Sequence, residues 1–516
     1  MPLRLRILPI LAATLFLTAS TALAPAHAES VPRFTDPLAM YDASSVKVSV
    51  AADSSSVEYS VSSFEGVTVA SGSTTVSGGA GSVDLGGLGP GYYELTVSNT
   101  AGKASTSLGI VAGAPAQPAS SLFGTTAHPA IHPWIDQSAA AGRLGLRSVR
   151  VDWRWEDAVR ADGSFAWDPS TEAEISRLQA RGIRPTLVLA YYGLCDDGQT
   201  PSSKRCINQY ADFVKATAQK YGASVDYGIY NEFNYVYNTG KCGRTADCYV
   251  KLLKPAFDAV RSYAPGAKVS GPALGAADDW WAVGGEAYNW FKRFVELGGH
   301  HYVDEATIHN YSLSTAPEGC GERAVANAKA LLAAAGSTKP VVLEETGYNT
   351  VEGGQPESIQ AAFLVRDAAA VLAAGAGRYM HYGLVNNWNA PSDPESNFGL
   401  FRHEDSSGGR LAPKPAAVAQ AVLAKFLDGA VPAGQESLDP DVRSTLFRLP
   451  DGRTARIVWS QSSAHTLFLS GAGTLDARDL FGRQIPGYAE GDTVSIGISG
   501  YPVLLLSATP GTAAVS

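Results

Sequence analysis

Cysteine is scarce in this chain of 516 residues: there are five, at 195, 206, 242, 248 and 320, and none forms a C-x-x-C pair. That spacing argues against a zinc or thioredoxin-like framework. Basic residues are in deficit, with 40 Lys and Arg against 49 Asp and Glu and a formal charge of −9. A surface of that sign disfavours nucleic acid and other polyanions as partners. No glycine-rich loop follows the first strand of the central region, and the Gly-Ser pairs form no nucleophile elbow. Asp196-Asp197 and Asp278-Asp279 lack the ligand spacing of a calcium loop and read as solvated turns. No metal site and no cofactor is therefore expected. Beyond residue 28 no apolar run is long enough to span a bilayer, so stable membrane insertion is not expected. Internal repeats and long low-complexity tracts are also missing.

The first 28 residues read as a secretory signal peptide. A basic start with Arg4 and Arg6 precedes an apolar stretch to Leu23, and Ala26-His27-Ala28 fits the cleavage pattern. A membrane anchor is the alternative, and Pro9 and Pro25 interrupt it. Removing the leader takes the formal charge from −9 to −11. The expected location is secreted or periplasmic. In an exported chain the close cysteine pairs suggest Cys195–Cys206 and Cys242–Cys248 disulfides with Cys320 left over, although connectivity does not follow from sequence alone.

Residues 29–113 alternate with period two, as in Val46, Val48, Val50 and again Val57, Tyr59, Val61, around the turn cluster at 86–91. They suggest a small immunoglobulin-like β-sandwich. Residues 114–121 are a Pro/Ala-rich linker. Over 122–427 the rhythm becomes apolar run, loop, helix. Strands are expected at 122–126, 148–152, 184–190, 226–231, 268–271, 305–309, 340–345 and 378–385. Helices are expected at 170–181, 209–221, 246–263, 286–297, 321–335 and 356–374. Eight strands alternating with helices over about 300 residues fit a (β/α)8 TIM barrel, an α/β fold; a doubly wound sheet is the alternative. Short strands return over 428–516 and suggest a C-terminal β-sandwich.

Two glutamates close apolar runs in the barrel region: Glu232, after Tyr230-Asn231, and Glu345, in Val341-Val-Leu-Glu-Glu-Thr-Gly-Tyr348. At the ends of the fourth and seventh strands both reach the C-terminal rim, where such barrels carry their chemistry. Opposed carboxylates are what glycosidic cleavage needs, one to protonate the leaving oxygen and one to attack carbon or activate water. Glu344 is the rival of Glu345. Only one of two adjacent strand residues faces the axis, so Glu344 is expected to face the helices or pair with a base. The charge on Glu345 is expected to raise the pKa of Glu232.

Asn-Glu at the fourth strand and Glu-x-Gly-aromatic at the seventh resemble clan A of the retaining glycoside hydrolases. The resemblance covers 122 to about 427. With His309-Asn-Tyr311 and the C-terminal sandwich it is most like family 39; families 30, 51 and 79 are similar. It implies Glu232 as acid/base, Glu345 as nucleophile and Asn231 as partner of the sugar 2-hydroxyl. Arg150 would contact the nucleophile, His309 and Tyr311 would bond the nucleophile or the sugar, and Trp388 would form an aromatic floor. Trp153, Tyr191 and Trp280 are further candidates among rim-loop aromatics that also include Trp155, Tyr192, Phe233, Tyr235, Tyr237 and Trp281. The implied partner is a polysaccharide or oligosaccharide. Transglycosylation by the same pair, or an inactive carbohydrate-binding surface protein, are the competing functions.

Overall fold

The computed structural model describes residues 29–313 and 316–516; the expected leader at 1–28 lies outside the described residues. Its centre is a closed barrel of eight strands: β1 (Phe123–Ala127), β2 (Ser148–Arg154), β3 (Arg184–Ala190), β4 (Asp226–Ile229), β5 (Val269–Leu274), β6 (Glu305–His309), β7 (Val341–Thr346) and β8 (Tyr379–His381). Neighbours pair in parallel, and Tyr379↔Phe123 closes the ring. Strands covered on both faces carry near-continuous apolar runs, which is why they stand out in the sequence. Two end earlier than the apolar runs suggest. β4 stops at Ile229 because Tyr230 and Glu232 take positive φ, and beyond β8 only Val385 pairs again, as a lone bridge to Phe401.

Side-chain caps start several of the helices. Asp168 accepts from Thr171 N ahead of Pro169–Ala180, Ser203 from Cys206 N ahead of Lys204–Tyr221, and Thr245 from Cys248 N ahead of Ala246–Tyr263. The last two caps hold Cys206 and Cys248 in the first helical turn. There they form disulfides with Cys195 and Cys242, tying down the rim loops after β3 and β4; Cys320 is a free, buried thiol. The alanine-rich helix Pro415–Phe426 has no sequence signature of an amphipathic surface helix because it is buried on nearly every side.

The N-terminal strands, Arg33–Phe34 to Gly102–Val111, form an eight-stranded sheet around Val48, Val50, Val61, Leu95 and Ile110, the residues whose alternation marked it. The C-terminal strands form a five-stranded and a four-stranded sheet facing across Val458, Leu467, Ile496 and Leu505. Both regions are fastened to the barrel. Arg402 donates to Glu357 beside it and to Ser107 and Tyr92 of the N-terminal sheet. Trp459 of the C-terminal sheet donates its indole N–H to Glu318 at 2.8 Å.

Candidate active site

Glu232 lies just past β4 and Glu345 near the end of β7, both at the floor of a rim cavity of about 600 Å3. Three contacts define Glu232. Its Oε1 is 2.9 Å from His309 Nδ1, its Oε2 accepts from the Tyr237 hydroxyl at 2.9 Å, and Asn238 donates to its backbone carbonyl at 2.7 Å. Its φ of +42° is uncommon for a side chain of this size, and such conformations persist where surrounding bonds over-determine them. Gly275 provides the space: a Cβ there would stand 2.8 Å from Glu232 Cδ and Oε1.

Glu345 forms an ion pair with Arg150 Nη1, accepts from the Tyr311 hydroxyl at 2.9 Å, and has Oε2 at 3.3 Å from His309 Nδ1. One imidazole nitrogen thus stands between the two carboxylates. Single ligand atoms of Glu232, His309 and Glu345 lie within 4.8 Å of one another. Arg150, itself 1% exposed, gives Nη2 to Asn231 Oδ1 at 2.9 Å. The Asn231 amide nitrogen in turn donates to the hydroxyls of Tyr191 and Tyr237.

The strict alternation expected of β7 fails at its glutamates. Ile308 pairs with Leu343 and His309 with Glu345, so Glu344 is an extra residue in the ladder, a β-bulge. Both side chains therefore turn inward. Glu344 does not face the helices: it is buried, 3.6 Å from Arg150 Nε and 3.8 Å from His309 Nε2. The pairing with a base is the half of its expectation that agrees with the structure.

The raised pKa expected of Glu232 is also corrected. Burial pushes its carboxyl up, but the hydrogen bond and charge of His309, with Tyr237 and Arg150, bring it below its ordinary value. Glu344 behaves likewise, burial being outweighed by Arg150 and then His309. Tyr237 is driven upward by burial and by Glu232, so it stays a donor.

The aromatic candidates separate into two sets. Tyr191, Tyr235, Tyr237 and Tyr311 line the cavity, and Trp280 backs it by stacking on Tyr235 at 6.3 Å. Trp153 does not. Arg150 and Asp152 of β2 turn inward, so Trp153 turns out to the helices, stacked on Trp167 at 5.0 Å with its indole N–H on Thr217. Trp155, Phe233 and Trp281 are likewise buried in the core. Trp388 is 49% exposed and off the cavity wall. Its loop folds back on itself through three bonds from Asn397 Nδ2 to carbonyls of residues 390, 391 and 393, which brings Glu395 and Phe398 to the wall instead. Tyr382, Phe398, Glu395, Asp393, Asp152, His128 and Thr126 also line the cavity, none of them singled out from sequence as a site residue. Their signal was weak, since Asp393 and Glu395 sit in an irregular Pro/Ser loop.

Among the described residues, two groups have the donor types of a cation site: Glu232, His309 and Glu345, and, separately, His132, His403 and Glu404. In the first the donors are already engaged by Arg150, Tyr237 and Tyr311. In the second, Glu404 is hydrogen-bonded to His132 Nδ1 at 2.8 Å.

Gly275→Ala should lower thermal stability modestly without unfolding the chain, since the new methyl would crowd Glu232 Cγ, Cδ and Oε1 and strain its buried hydrogen bonds. It should displace Glu232 from His309 and Tyr237 and cost on the order of 10²-fold in any turnover that uses Glu232, the usual effect of an ångström-scale misplacement. Thermal melting and kcat/KM measured together check this; unchanged kcat/KM would show that the position of Glu232 is immaterial.

No family model and no curated protein matches the chain. Among solved structures it is similar to a family 39 glycoside hydrolase from the gut symbiont Bacteroides cellulosilyticus WH2, with a TM-score of 0.76 at 19% identity, over 92% of this chain and 100% of that one. It is also similar to the catalytic domain of a family 30 xylanase C from Talaromyces cellulolyticus (TM-score 0.53, 14% identity, 76% and 99% covered). A family 30 subfamily 8 xylanase from Clostridium acetobutylicum gives a TM-score of 0.51 at 12% identity, with 77% and 98% covered. At these identities the likeness is one of fold, a (β/α)8 barrel with flanking β-sheets, and it is the fold of the clan that the two strand-end motifs resemble.

Proposed function

We propose that the chain is a secreted retaining glycoside hydrolase, with Glu345 as nucleophile and Glu232 as general acid/base. The observation that carries this reading is the pair of carboxylates facing one cavity, both against His309 Nδ1, at 2.9 Å for Glu232 Oε1 and 3.3 Å for Glu345 Oε2. Retaining enzymes hold their carboxyl groups about 5–5.5 Å apart, and inverting ones need about 6.5–9.5 Å to admit water. In this reading the chain is organised as a leader to 28, a β-sandwich to 113, a linker, a barrel over 122–427 and a C-terminal β-sandwich.

In the first step Glu345 attacks the anomeric carbon. The bond to the leaving oxygen breaks, and that oxygen takes a proton from Glu232. In the second, Glu232 removes a proton from water, whose oxygen displaces Glu345 and restores the original anomeric configuration. Arg150 and Tyr311 hold the attacking carboxylate in place. In the free protein the His309 contact at 2.9 Å, with Tyr237 and Arg150, outweighs burial and holds the Glu232 carboxyl below its ordinary value.

A panel of glycans read by mass spectrometry would identify the substrate. Glu345→Ala should abolish its turnover, and azide should restore some reaction with a product of inverted configuration. Glu232→Ala should keep most activity on glycosides with good leaving groups and lose it on natural ones. Wild-type behaviour of both variants would overturn the assignment.

The pH profile tests the pairing. His309 lowers Glu232, so His309→Asn should let burial raise it. The alkaline limb of kcat/KM, where the acid loses its proton, should then move to higher pH. A limb that stays in place or moves down would contradict the pairing.

A further inference from the structure

A lysine that the chemistry does not use lies behind the cavity wall. Lys414 is 1% exposed and stands at the N-cap of helix Pro415–Phe426. Its Nζ donates to Thr350 Oγ1 and to the Asn397 carbonyl, both at 2.9 Å. Two uncharged acceptors need two N–H donors, which a lysine amine supplies whether or not it carries its extra proton. Burial pushes the group down to about 7. A lysine is a costly choice at this position. A buried amine loses its hydration, and a cation at a helix start faces the positive end of the dipole, where Ser, Thr, Asp or Asn would cap. Such departures from local rules concentrate at functional positions.

Its two acceptors belong to the rim loops that follow β7 and β8. The Asn397 carbonyl also accepts from Thr350 N at 3.1 Å and Thr350 Oγ1 at 3.2 Å, so Lys414 and Thr350 together lock one loop to the other. The cavity-lining residues Asn349, Asp393 and Glu395 flank these two points. Phe398, whose ring meets Tyr311 at 5.6 Å, has anchors of its own. Its carbonyl accepts from Gln360 Nε2 at 3.0 Å and lies 3.1 Å from His381 Nε2. Losing Lys414 would therefore loosen 393–397 and leave the Glu345 side of the cavity in place.

The lysine is itself seated by the N-terminal sandwich. Arg410 donates to the Asp36 carbonyl at 2.9 Å and to Thr106 Oγ1 at 3.2 Å. Leu411 N donates to the Pro37 carbonyl at 2.9 Å, and Ala39 N to the Leu411 carbonyl at 3.0 Å. Ser107 Oγ donates to the Pro413 carbonyl at 2.6 Å. Resting on the proposed glycosidase reading, we infer that Lys414 is a positioning residue: it holds the 393–397 wall in the conformation that binds sugar, and the N-terminal sandwich, by gripping 410–413, fixes where Lys414 stands.

The test combines hydrogen exchange read by mass spectrometry with kinetics on the oligosaccharide that the glycan panel identifies, all on the full chain. In Lys414→Met the peptide spanning 390–399 should exchange about tenfold faster, the scale of one lost buried hydrogen bond, while peptides from β3 and β6 keep their wild-type rates. KM should rise about fivefold with kcat nearly unchanged, the pattern of binding lost equally from ground and transition state. Thr350→Val, which removes the hydroxyl between Lys414 and Asn397, should act in the same direction and carries the test if Lys414→Met fails to fold. Arg410→Met should speed the same peptide by a smaller factor. Wild-type exchange at 390–399 in both Lys414→Met and Thr350→Val would overturn the inference. So would faster exchange spread evenly over the chain, or a loosened wall with KM unchanged. A wild-type rate at 390–399 in Arg410→Met would overturn the part given to the sandwich. If no glycan is cleaved by the wild type, the glycosidase reading fails, and the brace stands or falls on exchange alone.

Discussion

The site depends on one buried guanidinium. Arg150 sits inside the barrel with Glu345 on Nη1, Asn231 on Nη2 and Glu344 beside Nε. Three ionisable groups taken out of water are tolerable only if each is paired, and removing one partner of such a set usually costs about 3–5 kcal/mol. The guanidinium lies against two adjacent carboxylates and, with His309, outweighs burial to hold Glu344 below its ordinary value. It also fixes Asn231, and through the Asn231 amide the hydroxyls of Tyr191 and Tyr237. Tyr237 then bonds Glu232, so the same network reaches both ends of the proposed catalytic pair.

That network exists because β7 breaks the strand rule. Without the extra residue at Glu344, one of the two glutamates would point at the helices and Arg150 would face a single carboxylate. The bulge instead places Glu345 at the cavity and Glu344 behind it, against Arg150 and His309. The His309 Nδ1 then lies between Glu232 and Glu345, where it lowers Glu232.

Much of the fold was legible because its signals are periodic. β3 and β6 run over Arg184–Ala190 and Glu305–His309, the spans that their apolar runs suggest, and helix Ala246–Tyr263 is bounded by Thr245 as a cap. Less legible were features set by tertiary packing. Helix Pro415–Phe426 is buried nearly all round, so it has no polar face to reveal its period. Trp153 and Trp388 are large aromatics near strand ends, but strand parity turns the first outward and a folded-back loop carries the second away from the cavity. Glu395 and Asp152 reach the wall through loop geometry and through β2 parity above Arg150, which a motif search does not weigh.

The central claim is that Glu345, not its inward-facing neighbour, forms the bond to sugar. It is tested most directly by mechanism-based labelling. A 2-deoxy-2-fluoro glycoside of the preferred sugar, with a good leaving group, slows release of the glycosyl-enzyme so that it can be digested and sequenced by mass spectrometry. The account predicts one added sugar on the peptide containing 344–345, with fragmentation placing it on Glu345. A label on Glu344 or Glu232, or complete turnover of the substrate with no covalent adduct, would contradict it.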